Sequence, residues 1–388
     1  MIDIEAVRAD TPACRDVLHF DNAGASLMPD PVAAAVTGHL ELERRVSGYE
    51  AERRARADLD AFYVEFAALL NAAPDEIAYV ENATRAWDMA FYGLPLAPGD
   101  RVLTHASEYA SNYLALLQQA KRRGLEIDLV PSDAAGRIDL AALEAMIGRR
   151  TRLVALTHVP TQRGLVNPAA AVGRIARRHG LIYLLDACQS AGQIALDVEE
   201  IGCDILSGTG RKFLRGPRGT GFLYVRRDIV ERIEPPFIDL HAATWTAPDR
   251  YELAPGARRF ETFESFVAGR IGLMQAVRYA RRIGLPAIEA RVTALAAQLR
   301  TALAEVPGVT VHDLGVEKCG IVTFRLAGED PGDTQRRLAE RAINVSVSGR
   351  AFAQLDFGAR GLDGLVRASV HYFNTEDEVD RFVAAVPA

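Results

Sequence analysis

Between about residues 78 and 225 the chain alternates short apolar runs with amphipathic stretches, and nothing else in it narrows the possible folds as far. Residues 101–105, 126–130, 152–158 and 181–186 read as strands, and 111–123, 140–147 and 167–179 as helices. Short buried strands separated by helices of this length imply right-handed βαβ crossovers and a parallel sheet, an α/β fold. Ligands of such sheets gather beyond the C-terminal strand ends. The loops after His105, His158 and Asp186 should therefore face a site.

After about residue 256 the pattern loosens. Helices are expected over 267–282 and 285–303, strands over 309–312 and 320–326, a helix over 333–341, and strands over 343–347 and 365–370. Thr375 with Glu378 makes a capping box for a last helix. With 388 residues, the expected division is an N-terminal segment (1–20), a large domain (21–255) and a smaller α+β domain (256–388). A net charge of -6 argues against nucleic acid or an anionic membrane as the partner. No apolar run approaches the roughly twenty residues of a membrane span, and the first residues lack a signal-peptide pattern. Four cysteines in a chain this long make no disulfide framework. A cytoplasmic globular protein is the expectation.

Of the 45 basic residues only Lys121, Lys212 and Lys318 are lysines. An amine can deprotonate and attack a carbonyl, which a guanidinium cannot, so a lysine kept under this bias is a candidate for chemistry. Lys212 stands in Gly-Thr-Gly-Arg-Lys-Phe-Leu-Arg-Gly-Pro-Arg-Gly-Thr-Gly (208–221), a loop after one strand, and Asp186 ends another buried strand, 26 residues before Lys212. A pyridoxal phosphate (PLP) enzyme needs this combination. The lysine bonds the cofactor, and an acid keeps the pyridine nitrogen protonated so that the ring accepts electrons. Thr209 and Arg211 are placed to help hold the phosphate. The loop is not a Walker A sequence, and no Gly-x-Gly-x-x-Gly follows an early strand.

The sequence resembles the class V aminotransferase group of fold-type I PLP enzymes, which includes cysteine desulfurases, selenocysteine lyases and isopenicillin N epimerases. The likeness runs from Phe20-Asp21-Asn22-Ala23-Gly24-Ala25 to the end. It is most specific in Asp186-Ala187-Cys188-Gln189-Ser190, in Arg211-Lys212 with Gly216-Pro217-Arg218-Gly219-Thr220-Gly221, and in Arg367-Ala368-Ser369 with Asn374-Thr375-Glu376-Asp377-Glu378. It implies a large domain with a mostly parallel seven-stranded sheet, a smaller α+β C-terminal domain, and a homodimer acting on an amino acid. By the same resemblance Lys212 would bond PLP and shuttle the proton, Asp186 would meet the pyridine nitrogen, and Gln189 the phenolic oxygen. Ala83, Thr84 and Arg85 match the phosphate-binding turn, and Arg367 matches the arginine that grips the substrate α-carboxylate.

Several positions depart from the group's pattern. Tyr109 stands where desulfurases stack a histidine on the cofactor, Thr161 where they have an asparagine, and Arg211 where a histidine precedes the lysine. Phe263-Glu264 replaces a Gly-Thr that reaches the neighbouring subunit's phosphate, and Phe352 takes the place of the catalytic cysteine. Cys188 and Cys319 read as small buried residues. The segment around Tyr49 is either a helix start after Gly48 or a cover for the substrate side chain, as in hercynylcysteine sulfoxide lyases, which it resembles. These departures lead to an expected β-lyase acting on the carbon–sulfur bond of cysteine conjugates or sulfoxides. An aminotransferase and an epimerase are the alternatives. A non-catalytic relative of the fold would be expected to have lost Lys212, Asp186 or Arg367, and all three are present.

Overall fold

The computed structural model describes residues 2–387. It opens with α1 (Ile4–Ala9), a two-residue strand β1 (Leu18–His19), and the helices α2 (Asp30–Val46), α3 (Gly48–Arg54) and α4 (Arg56–Leu70). The alternating region then begins with β2 (Ile77–Val80), α5 (Ala83–Gly93), β3 (Arg101–His105), α6 (Ala110–Arg123), β4 (Glu126–Val130) and α7 (Leu140–Met146). It continues with β5 (Thr151–Thr157), α8 (Ala169–Arg178), β6 (Ile182–Asp186), α9 (Val198–Ile201), β7 (Ile205–Thr209) and β8 (Gly221–Val225). These strands form one sheet of seven in the order β2-β8-β7-β6-β5-β3-β4. Neighbours from β4 through β7 run parallel, and β8 is antiparallel to both β7 and β2. The mostly parallel seven-stranded sheet is therefore present.

The reversal at β8 has a length cause. A parallel crossover needs roughly a dozen residues or more, usually including a helix, and the glycine-rich segment 210–220 carries no helix. The chain must fold straight back, which lays this segment, with Lys212 in it, across the C-terminal ends of the parallel strands.

After α10 (Arg227–Val230) and the hairpin β9 (Ala243–Ala247) and β10 (Arg250–Leu253), the helix α11 (Val267–Ile283) packs along α2 and α4. Then come α12 (Leu285–Ala304), β11 (Val309–Val311), β12 (Ile321–Leu326) and α13 (Pro331–Ala339). The expected strand over 343–347 divides at Val345, because its halves bond to different partners. β13 (Ile343–Asn344) pairs with β1, and β14 (Ser346–Gly349) joins the second sheet. After α14 (Gln354–Arg360), β15 (Gly364–Ser369) completes that antiparallel sheet, ordered β11-β12-β15-β14. The last helix, α15 (Glu376–Ala385), starts with the expected capping box between Thr375 and Glu378.

Arg215 ties these parts together. It is 1% exposed and has no acidic partner among the described residues. Nε donates to the Leu27 carbonyl (2.8 Å), Nη1 to the Tyr372 hydroxyl (2.8 Å) and Nη2 to Thr11 Oγ1 (2.5 Å). The guanidinium also lies 4.6 Å from the Phe373 ring centroid, so its charge is spread over aromatic faces and neutral acceptors. Its backbone takes the left-handed conformation (φ 62°), and its N–H donates to the Lys212 carbonyl (2.9 Å). One side chain thus fixes the N-terminal segment and the C-terminal segment to the loop of Lys212. Arg215→Ala strands three acceptors and is expected to lower unfolding stability by about 3 kcal/mol or more. Urea denaturation of the cofactor-free protein measures this, and a loss below about 1 kcal/mol, an ordinary single hydrogen bond, would contradict the keystone role.

Candidate active site

The strands β3, β5, β6 and β7 are largely apolar in their middles and carry polar side chains at their C-terminal ends. Asp186 closes β6 and is 4% exposed. Its Oδ1 accepts the Cys188 N–H (2.8 Å) and its Oδ2 accepts Asn112 Nδ2 (2.9 Å). Lys212 is also buried, in a loop held by bonds from the Ser26 N–H to the Arg211 carbonyl and from the Gly216 N–H to the Gly210 carbonyl (both 2.8 Å). It forms no ion pair among the described residues, and its Nζ is 5.9 Å from the centroid of the Tyr109 ring. Burial pushes its amine below the ordinary lysine range. Arg211 and Arg367 act in the same direction, against Cys188 and Asp186.

The first turn of α5 forms a second component. Asn82 caps it, its Oδ1 accepting the Arg85 N–H (2.9 Å). A Cβ on Gly221 would lie 2.9 Å from the Asn82 carbonyl carbon and 2.8 Å from the Gly208 carbonyl oxygen, so only glycine lets this turn approach β7 and β8. Ala83, Thr84 and Arg85 are thereby brought to the end of β7. There Arg211 Nη1 donates to Thr209 Oγ1 (3.1 Å). Free N–H groups of a helix start together with arginines make a site for a phosphate-like anion. Arg85 itself is half-buried, its guanidinium 4.7 Å over the Phe237 ring.

The third component bridges the two sheets. Arg367, on β15, donates through Nη1 to Thr161 Oγ1 and through Nη2 to Asp21 Oδ1 (3.0 Å). Thr161 Oγ1 also accepts from Gln189 Nε2 (3.2 Å), which in addition reaches the Ala23 carbonyl (3.1 Å). Ser346 donates to the same Asp21 oxygen (2.8 Å). Gln189 Oε1 and Arg367 Nε are buried without partners.

Tyr49 is not gathered in. It lies on α3, 67% exposed, in a hollow with Arg56, His241, Arg258 and Phe263. Phe352 is on a short turn, 62% exposed, and shares an apolar hollow with Glu108, Ala110 and Leu117 at the start of α6. All four cysteines are free, and only Cys188 is not fully buried; burial, reinforced by Asp186, raises its thiol well above the usual range. Burial lowers His105 to about 3 and His158 to about 4, so both are neutral at pH 7 and neither can serve there as an acid. A cleft of about 950 Å³ lies elsewhere, among Arg174, Glu289, Arg300 and Lys318. Sequence reasoning missed Asp21, Glu108 and Asn112 as members of this cluster. Asn112 could have been found, since it falls three residues after Tyr109 on the same helical face.

The family model for aminotransferase class-V matches residues 18–382. A protein of Methanothermobacter thermautotrophicus named probable cysteine desulfurase is 32% identical over 97% of this chain and 95% of its own. Another of that name, from Pyrococcus abyssi, is 30% identical over 98% and 96%. The apo structure of a cysteine desulfurase from Thermococcus onnurineus superposes with a TM-score of 0.92 at 30% identity, covering 99% of this chain and 97% of that one.

These likenesses overturn the expected β-lyase of cysteine conjugates or sulfoxides, together with its aminotransferase and epimerase alternatives. That expectation leaned on single positions, Phe352 above all. Similarity along nearly the whole chain points instead to desulfurases. PLP is the cofactor, and the residues present fit it. A buried amine without a partner, a buried carboxylate bound by donors, two unpartnered buried polar atoms and an anion-binding helix start stand together. Borohydride reduction of the holoenzyme is expected to fix the cofactor's mass on the peptide containing Lys212, and Lys212→Ala to lose the cofactor on gel filtration. Label on Lys121 or Lys318 would contradict this assignment.

Proposed function

The chain belongs to the class V aminotransferase family of PLP-dependent enzymes, and from that premise we propose that it is a cysteine desulfurase, taking sulfur from L-cysteine and leaving L-alanine. The carrying observation is the joint placement of Lys212 and Arg367. A buried amine in the loop after β7 and a guanidinium on β15 lie near enough for the charge of Arg367 to act on Lys212, the pair of groups a bound α-amino acid would need. The choice of cysteine is supported by the names of the relatives.

In this reading Lys212 bonds the cofactor and afterwards carries the proton of the substrate α-carbon, a task its lowered basicity suits. PLP, when bound, supplies the electron sink that lets this proton leave and the carbon–sulfur bond break. Asp186 holds the pyridine nitrogen, Gln189 and Thr161 the phenolic oxygen, and Tyr109 covers the ring. Thr84, Arg85, Thr209 and Arg211 hold the phosphate, with the N–H groups of Ala83 and its neighbours. Arg367 takes the α-carboxylate, sharing its guanidinium with Asp21 and Thr161. With Phe352 in the place of the group's cysteine and the Cys188 thiol held protonated by burial, the sulfur passes to the thiolate of an external thiol, which becomes a persulfide. The electron pair of the broken carbon–sulfur bond stays on the β-carbon, which takes up a proton to complete alanine. Tyr49 is assigned no part in binding the substrate.

We place the enzyme in the cytoplasm as a homodimer. Its four free cysteines suit a reducing compartment, and among the described residues no helix is long and apolar enough to cross a membrane. Exposed Phe237, Leu240, Trp245 and Phe263 supply apolar surface for a second copy.

With L-cysteine and dithiothreitol the expected products are L-alanine and sulfide in equal amounts over many turnovers, read by amino-acid analysis and sulfide trapping. Pyruvate and ammonia in place of alanine would overturn the reading. Arg367→Ala is expected to raise KM for L-cysteine roughly tenfold to a hundredfold, the loss of about 1.5–3 kcal/mol from a charged hydrogen-bonding partner. An unchanged KM would remove Arg367 from the substrate site.

A further inference from the structure

Asn112 sits near the start of α6, 3% exposed, and its Nδ2 donates to two carboxyl groups at once, Asp186 Oδ2 and Glu108 Oε1, each at 2.9 Å. Both acids are buried, Glu108 at 5% and Asp186 at 4% exposure. Two carboxylates this close and out of water do not both keep their charge. Their remaining partners show which one gives it up. Asp186 meets the Asn112 amide, the Cys188 N–H and the Cys188 thiol. The first two only donate and the sulfur accepts poorly, so a neutral Asp186 would have no good acceptor for its O–H.

Glu108 is bonded differently on its two oxygens. Oε1 accepts from Asn112, from the Tyr109 N–H (3.0 Å) and from the Thr157 hydroxyl (2.5 Å). Oε2 meets only the Thr104 hydroxyl, at 3.2 Å, which can accept as readily as donate. That is the pattern of a carboxylic acid with its carbonyl at Oε1 and its proton at Oε2. Burial raises the Glu108 carboxyl above the ordinary range, and Asp186 adds to the rise, against the lowering effect of Thr157 and Asn112.

We propose that Asn112 and a protonated Glu108 form a charge-sorting pair, which spaces the two acids and leaves their single negative charge on Asp186, facing the pyridine nitrogen. Asn112 is thus a positioning residue, acting through Asp186. The inference deepens the reading above and rests on its assignment of Asp186.

Two measurements on the cofactor-free protein test it. In the infrared spectrum at pH 7, Glu108→Gln is expected to remove the carbonyl band of a protonated carboxyl group. Loss of carboxylate absorption instead would overturn the proposal. PLP affinity, read from tryptophan fluorescence, is expected to fall about tenfold or more in Asn112→Leu, the loss of one hydrogen bond to a charged group. Asn112→Asp, which adds a third acid, is expected to bind more weakly still at pH 8. Asp186→Asn is the reference variant. If it weakens PLP binding while both Asn112 variants bind as wild type does, the charge-sorting pair fails and the Asp186 assignment survives. If Asp186→Asn binds PLP normally, that assignment fails and takes the proposal with it.

Discussion

The cluster at the C-terminal edge of the large sheet rests on keeping ionisable groups out of water without letting them cancel. Lys212 and Asp186 are both buried, yet form no ion pair. Had they paired, the lysine would be held as an ammonium ion, unable to attack a carbonyl carbon or take a proton. Held apart, each is left free to bond a different partner. Asp186 is anchored by the Asn112 amide and the Cys188 N–H, and the Lys212 amine is desolvated beside Tyr109.

The rest of the fold serves that separation. The loop 210–220 is too short for a crossover, so it folds back over the strand ends and delivers Lys212 there. Arg215 then fastens this loop to segments from both ends of the chain. The second sheet contributes Arg367, whose bonds through Thr161 to Gln189 and to Asp21 join that sheet to the first. A movement between the sheets would break these bonds.

Much of this was legible in the sequence. The strands β3, β5 and β6 are short apolar runs with turn residues beyond them, which is why the loops after His105, His158 and Asp186 could be placed at one edge. Lys212 stood out because arginine fills nearly every other basic position. What stayed hidden depends on contacts between distant segments. Arg215 looks like one more surface arginine until Thr11, Leu27 and Tyr372 close around it. Asp21 and Ser346 meet across 325 positions. The functional reading failed for a related reason. The β-lyase expectation leans on the lost cysteine at Phe352 and on the Tyr49 segment, although residues 62% and 67% exposed say little about what a whole scaffold binds.

The state of the Lys212 amine is the central claim, and this chain makes it unusually easy to measure. With only three lysines, the cofactor-free protein labelled with carbon-13 at the lysine ε-carbons gives three signals to follow against pH. The account predicts two ordinary titrations and a third displaced to clearly lower pH, absent from Lys212→Arg. Three lysines all titrating near their ordinary value of about 10.4 would show that Lys212 is solvated or paired in solution, and would contradict the account.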